Sequence, residues 1–161
     1  TWAVRTPRFV ERRRYRRPQW SHGPRFVEYS YGTDRWEGFR AHPLDHVAEG
    51  MMLVDLPGHA VGHAGVFVPG GGRGGGGGDH GRVHGNDDDK DLLHAGDAFY
   101  HRGQIGPTGR VPRPIPVLER ALALEPGAVS LTHARLAGLA RRRRDTLDVV
   151  CAHDPSGPGG L

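Results

Sequence analysis

The chain has 161 residues, 36% of them hydrophobic, with 26 glycines, 13 prolines and a formal net charge of +4. A domain of this length can bury about 70% of its unfolded surface, but so much glycine and proline commits a large share of the chain to loops and keeps the core small. No apolar stretch approaches the roughly 20 residues needed to cross a bilayer, which excludes a helical membrane span, and Cys151, the single cysteine, excludes an internal disulfide and fits a reducing, cytoplasmic setting.

The sequence opens at Thr1, and residues 1–20 carry arginines but no apolar signal core, so it reads as a fragment without a secretory signal. Residues 5–26, RTPRFVERRRYRRPQWSHGPRF, set arginines among Phe9, Tyr15, Trp20 and Phe26. Aromatics beside arginines can stack on bases while the charges meet phosphates; a solvated, irregular segment broken at Pro7, Pro18 and Pro24 is the plainer reading. Residues 1–49 are accordingly an arginine-rich irregular segment with short strands, one of them at Trp36 to Phe39. MMLVDL (51–56) is a compact apolar run ended by Pro57 and Gly58, and HAGVFV (63–68) is the next strand. The turn between them carries His59.

PGGGRGGGGG (69–78) and the acids Asp87, Asp88 and Asp89 follow. Uninterrupted glycine has the largest ordering entropy and nothing to bury, so residues 69–90 are expected to be a flexible hairpin insertion. They lack the strand, helix and terminal Lys-Ser/Thr pair of a phosphate-binding loop. DLLHAGDAFY (91–100) then places Leu92, Leu93 and Ala95 on a buried strand whose end presents Asp97. PVLERALALE (116–125) has proline in a first-turn position and apolar residues at helical spacing, with Pro126 and Gly127 expected to stop it. A second helix is expected from Val129 to Arg144, with Leu131, Ala134, Leu136 and Leu139 as its core stripe and Arg141 to Arg144 complementing the dipole at its end. TLDVVCA (146–152) reads as a last buried strand presenting His153 and Asp154, and residues 156–161 as a disordered tail.

Three strand ends therefore carry His59, Asp97 and His153. Imidazole and carboxylate are donors suited to Zn²⁺, Mn²⁺ or Fe²⁺, and a carboxylate has two oxygens with which to bridge a pair of ions. In this order LPGHAVGH, LLHAGDAFY and VVCAHDP resemble the third, fourth and fifth metal-binding motifs of the metallo-β-lactamase-fold hydrolases, and are most similar to the branch of the N-acyl-homoserine lactonases. The resemblance covers about residues 50–68 and 91–155. It implies an α/β (α+β) fold, a partial αββα sandwich of which residues 50–155 form mainly the second half. It also implies that His59 completes one metal site and His153 the other, with Asp97 bridging them. Tyr100 would donate a hydrogen bond to a carbonyl oxygen as charge develops there. His63 would support the turn, and His94, His101 and Asp154 would hydrogen-bond around the ligands.

Members of this superfamily carry HxHxDH ahead of these motifs. RAHPLDH (40–46) has Asp45 and His46, but Ala41 and Pro43 stand where histidines are needed and His42 is out of register. Without that motif each ion keeps one histidine and a shared carboxylate, short of the three protein ligands usual in catalytic zinc sites, and the sheet face that the first half should cover is left open. Three functions follow. The first is a metal-dependent hydrolase, with Zn²⁺ as cofactor, in which a metal-bound hydroxide attacks a small-molecule ester, lactone, thioester or amide carbonyl. The second is a truncated, inactive member of the same fold, and the third a nucleic-acid binder acting through residues 5–26. None requires a membrane partner, and all are compatible with a homo-oligomer.

Overall fold

The sequence expects one strand across Trp36 to Phe39; a hairpin is found there. Glu37 (φ 49°) and Gly38 (φ 83°) both lie in the left-handed region, which reverses the chain in a tight turn between β1 (Arg35–Trp36) and β2 (Phe39–Pro43). The computed structural model describes residues 18, 21–25, 27–70, 90–107 and 109–153. Most of the arginine-rich stretch 5–26, the interior of the glycine-rich insertion 69–90, Asp154 and the tail 156–161 lie outside the described residues.

After β2 come β3 (Met52–Asp55), β4 (Ala64–Val68), β5 (Asp91–His94) and β6 (Leu147–Val150). They form one six-stranded sheet in the order β1-β2-β3-β4-β5-β6. Successive strands are antiparallel except β5 and β6, which run parallel. A parallel pair needs a long crossover, and here it contains a 3₁₀ turn at Arg102–Gln104 and two helices, α1 (Pro114–Leu122) and α2 (Pro126–Arg142). This is the α/β class expected from the sequence, consistent with part of a metallo-β-lactamase-like sandwich. Among the described residues, no helix is long and apolar enough to cross a membrane.

The helices depart from expectation for identifiable reasons. Pro126 does not stop the first helix. It opens the second, because its fixed φ and missing N–H suit a first turn; Pro114 does the same for α1. The buried stripe of α2 is Thr132, Leu136 and Leu139 rather than the four residues expected, and Leu131 is 61% exposed. Spacing of four and three defines one narrow face, and Leu131 and Ala134 fall beside it.

The core lies between the sheet and α2. Phe39, Val54, Phe67 and Leu93 from alternate strand positions meet Leu136 and Leu139, with Phe99 and Ile105 from the crossover closing one end. Arg135 lays its guanidinium 4.0 Å from the Phe39 ring centroid and donates to Gly38 O. The opposite sheet face carries Leu53, Val66 and Val150 in cross-strand register at intermediate exposure. On that face Arg40 Nε donates to the buried Asp55 (2.8 Å) and its guanidinium lies 5.7 Å from the Tyr31 ring.

Burial pushes the Tyr31 phenol up to about 12 from an ordinary 10.0; the Asp55 carboxylate adds to the rise and Arg40 opposes it. Because the folded value lies above the unfolded one, the stabilisation is complete below pH 10.0 and is lost as pH climbs toward about 12. Denaturant midpoints measured across this window are expected to fall with pH, and Tyr31→Phe should flatten the decline. An identical slope in the variant would contradict this origin.

Candidate metal centre

β3 ends at Asp55, and the chain turns through Leu56, Pro57 and Gly58 to His59. Gly58 has φ 136°, and a Cβ there would lie 2.7 Å from Val129 Cγ2, so the turn is pressed against the start of α2 and needs glycine. Its carbonyls are satisfied from α2 and from the link that precedes it: Thr132 Oγ1 donates to Pro57 O (2.8 Å), Glu125 N to Gly58 O (3.0 Å) and Leu124 N to His59 O (3.3 Å). The ends of β5 and β6 stay in register past the strands, with Ala95 N donating to Val150 O (2.7 Å) and Ala152 N to Gly96 O (2.9 Å). A parallel pair sends both chains out at the same sheet edge, which sets Asp97 beside His153.

Three side chains thus meet. His59 Nε2 lies 3.4 Å from Asp97 Oδ2, and His153 Nε2 lies 3.0 Å from Asp97 Oδ1. Exposure rises from 14% at His59 through 35% at Asp97 to 55% at His153, so the cluster opens to solvent on the His153 side. Each histidine addresses a different oxygen of one carboxylate, an arrangement in which the carboxylate can be shared between two cations. Among the described residues, no three His, Cys, Asp or Glu side chains surround a common point. The donor set brought together here is one imidazole beside each oxygen of a single carboxylate.

His63 holds the frame. Its Nδ1 lies 2.9 Å from Leu56 O, and its Nε2 receives the Asp97 backbone N–H at 3.1 Å. A carbonyl can only accept and an amide N–H can only donate, so the ring is neutral with the proton on Nδ1. It bridges the end of β3 to the Asp97 turn, 34 residues beyond His63 in sequence. Replacing it by phenylalanine removes both bonds and is expected to lower stability by about 2 kcal/mol, since the Leu56 carbonyl belongs to a buried residue and a buried group left unsatisfied costs about 1–3 kcal/mol. Amide exchange at Asp97 should accelerate; unchanged exchange there would contradict the bridge.

Tyr100 is 9% exposed, with its hydroxyl 3.1 Å from His59 Nδ1 and its ring 5.0 Å from that of His153 at 77°. It lies within the cluster, its hydroxyl at the Nδ1 side of His59 and its ring against His153. His94 and His101 instead serve the local backbone: His94 Nδ1 accepts from Gly96 N (3.2 Å), and His101 Nδ1 accepts from Gly103 N (2.9 Å) to cap the 3₁₀ turn. The partners of His42, Asp45 and His46 lie within residues 29–50: Ser30 O for His42, Gly50 N for Asp45 and the Tyr29 hydroxyl for His46.

Sequence reasoning missed Gln104, Glu119 and His133. Gln104 Oε1 receives the N–H groups of Tyr100 (2.7 Å) and His101 (2.9 Å), and its Nε2 donates to Glu119 Oε2 (2.6 Å). The His101–Gln104 capping pair has a readable spacing. Glu119 has no such signal: it is buried on a helix whose Val117 and Leu118 are 71% and 52% exposed, the reverse of what apolar periodicity predicts.

Comparison with known proteins gives two curated relatives, each named "Probable metallo-hydrolase", one from Mycobacterium bovis and one from Mycobacterium tuberculosis. Each is 40% identical over 154 residues, 95% of this chain and 44% of the relative. This chain is a relative of probable metallo-hydrolases. That likeness supports a metallo-hydrolase family, and the chain spans less than half the length of the proteins it matches. No protein-family model matches it, and no solved structure matches it significantly.

Proposed function

We propose that the chain contributes the His59–Asp97–His153 part of the metal centre of a hydrolase acting on an ester, lactone, thioester or amide carbonyl. One observation carries this reading: the two oxygens of Asp97 face the Nε2 atoms of two histidines from different strand ends. The names of the relatives support it. Zn²⁺, with Mn²⁺ or Fe²⁺ as alternatives, suits these donors and when bound supplies Lewis-acid activation of water and of the substrate carbonyl. His59 and His153 would each hold one ion, Asp97 both, and the remaining ligands would come from outside the described residues. Lactones and esters are the substrates of first choice, on the resemblance of the three motifs to the lactonase branch. Cys151, the single cysteine and buried, supports a cytoplasmic setting.

The chain's own residues divide the work. Asp97 fixes the spacing between the two imidazoles. The Tyr100 hydroxyl, accepting from His59 Nδ1–H, keeps the His59 Nε2 lone pair turned toward Asp97. A phenol oxygen that accepts from an imidazole retains its own O–H, which donates to the substrate oxygen as negative charge develops. His63 maintains the alignment from behind, through the Asp97 backbone.

The count of two donors per ion favours a second reading, in which this chain is a truncated member that retains no metal. Purified chain assayed for bound metal and for hydrolysis of a lactone and ester panel, with added Zn²⁺ or Mn²⁺ and with chelator, separates the two. The proposed function requires metal-dependent turnover that chelation abolishes. Substoichiometric metal and no turnover under any condition would leave the second reading standing.

A further inference from the structure

We propose that Gln104 and Glu119 are positioning residues for Tyr100, a hydrogen-bonded strut from α1 that aims the phenol at His59 and His153. The inference rests on the role given to Tyr100 above. The Asp97–His101 segment is gripped at three backbone atoms: Gln104 Oε1 accepts from the N–H groups of Tyr100 and His101, and His133 Nε2 lies 2.9 Å from Ala98 O. The Gln104 amide has one permitted orientation, since two backbone donors need its oxygen while the Glu119 carboxylate needs its NH₂ (2.6 Å). A cap for the 3₁₀ turn explains the bond from His101 N; it does not explain the carboxylate.

Glu119 is 6% exposed while Val117 on the same short helix is 71% exposed. Burying a carboxylate is costly unless it is hydrogen-bonded, and a helix needed only for packing would turn its apolar residues inward. Glu119 is instead held by Gln104 through Oε2, while His133 Nε2, which faces Ala98 O at 2.9 Å, passes 3.0 Å from Oε1, an atom with no hydrogen-bond partner among the described residues. One face of α1 and the middle of α2 are thereby joined to the segment that carries Tyr100. A shift of that segment moves the phenol away from the His59 Nδ1 contact of 3.1 Å.

The test combines a double-mutant cycle with a probe of the phenol itself, in the full chain. Gln104→Ala should lower kcat about 10-fold with KM within about twofold, and should cost nothing further in a Tyr100→Phe background, because residues acting as a unit are non-additive. Glu119→Leu should reproduce the Gln104→Ala loss, and Glu119→Gln, which keeps an acceptor oxygen for the Gln104 amide, should recover most of it. With 3-fluorotyrosine incorporated, the ¹⁹F line that disappears in Tyr100→Phe should shift or broaden in Gln104→Ala and Glu119→Leu, while the lines of Tyr29 and Tyr31 hold their positions and report an intact fold. Additive losses, or an unmoved Tyr100 line, would overturn the proposal. Should Tyr100→Phe keep full activity, the catalytic role of the phenol fails, and the ¹⁹F line alone still decides whether the strut positions it.

Discussion

Asp97→Ala is expected to abolish metal retention and lower hydrolysis by at least about 100-fold, the upper end of what removing mere hydrogen-bond partners of metal ligands costs. The carboxylate is where the site converges: remove it and His59 and His153 lose the oxygens that lie 3.4 and 3.0 Å from their Nε2 atoms. Asp97 is 35% exposed and sits outside the hydrophobic core, so in metal-free protein folding stability should change by no more than about 1 kcal/mol, the range of solvent-exposed ion pairs. Elemental analysis, turnover and thermal unfolding on the same preparation separate loss of function from loss of fold. Asp97→Asn is the sharper variant, because it keeps the shape and removes the charge. Wild-type turnover in either variant would end the metal-centre reading.

Arg143→Ala is expected to lower stability by about 3 kcal/mol, the low end for breaking a buried ion pair. The guanidinium leaves the end of α2 and reaches three elements: Asp91 Oδ2 at the start of β5 (2.6 Å), Glu37 Oε1 in the β1–β2 turn (3.1 Å) and Thr146 Oγ1 before β6 (3.2 Å). It is 20% exposed and the Asp91 side chain only 10%, so truncation strands a poorly hydrated carboxylate that keeps, among the described residues, the Gly70 N–H (2.8 Å). The same break loosens the origin of the parallel β5–β6 pair, whose far ends carry Asp97 and His153. Arg143→Lys should restore part of the loss, since one ammonium cannot match the three-way fork. A denaturant-unfolding loss below about 0.5 kcal/mol, the range of ordinary surface substitutions, would show that the network contributes little.

These residues also mark what the sequence made legible. β3, β4, β5 and β6 stand out as compact apolar runs, and the three strand-end motifs could be ordered because each follows one. The hairpin at Glu37 and Gly38 was hidden, since a glutamate in the left-handed region is an uncommon choice with no local signature. Pro126 is ambiguous in any sequence, because the same ring ends one helix and begins another; the tie is broken by where the backbone goes next. Leu131 was expected in the core because periodicity cannot say which of two adjacent stripes meets the sheet. His63 could be suspected of supporting His59, but its bridge to the Asp97 N–H depends on two turns from distant segments meeting. Glu119 was unreadable for a deeper reason: a carboxylate is buried when a partner fixed by tertiary structure receives it, and that partner, Gln104, lies across the crossover.

The proposed function requires His59, Asp97 and His153 to act together on a divalent cation. ¹⁵N-imidazole NMR of the chain during titration with Zn²⁺ tests this most directly, with the histidine resonances assigned by single substitution. The expected result is a saturable shift of the His59 and His153 Nε2 signals, absent in Asp97→Ala, while the His63 signals keep the pattern of a neutral ring protonated on Nδ1. Zn²⁺ that leaves both of those signals in place, or moves only histidines outside the cluster, would contradict it.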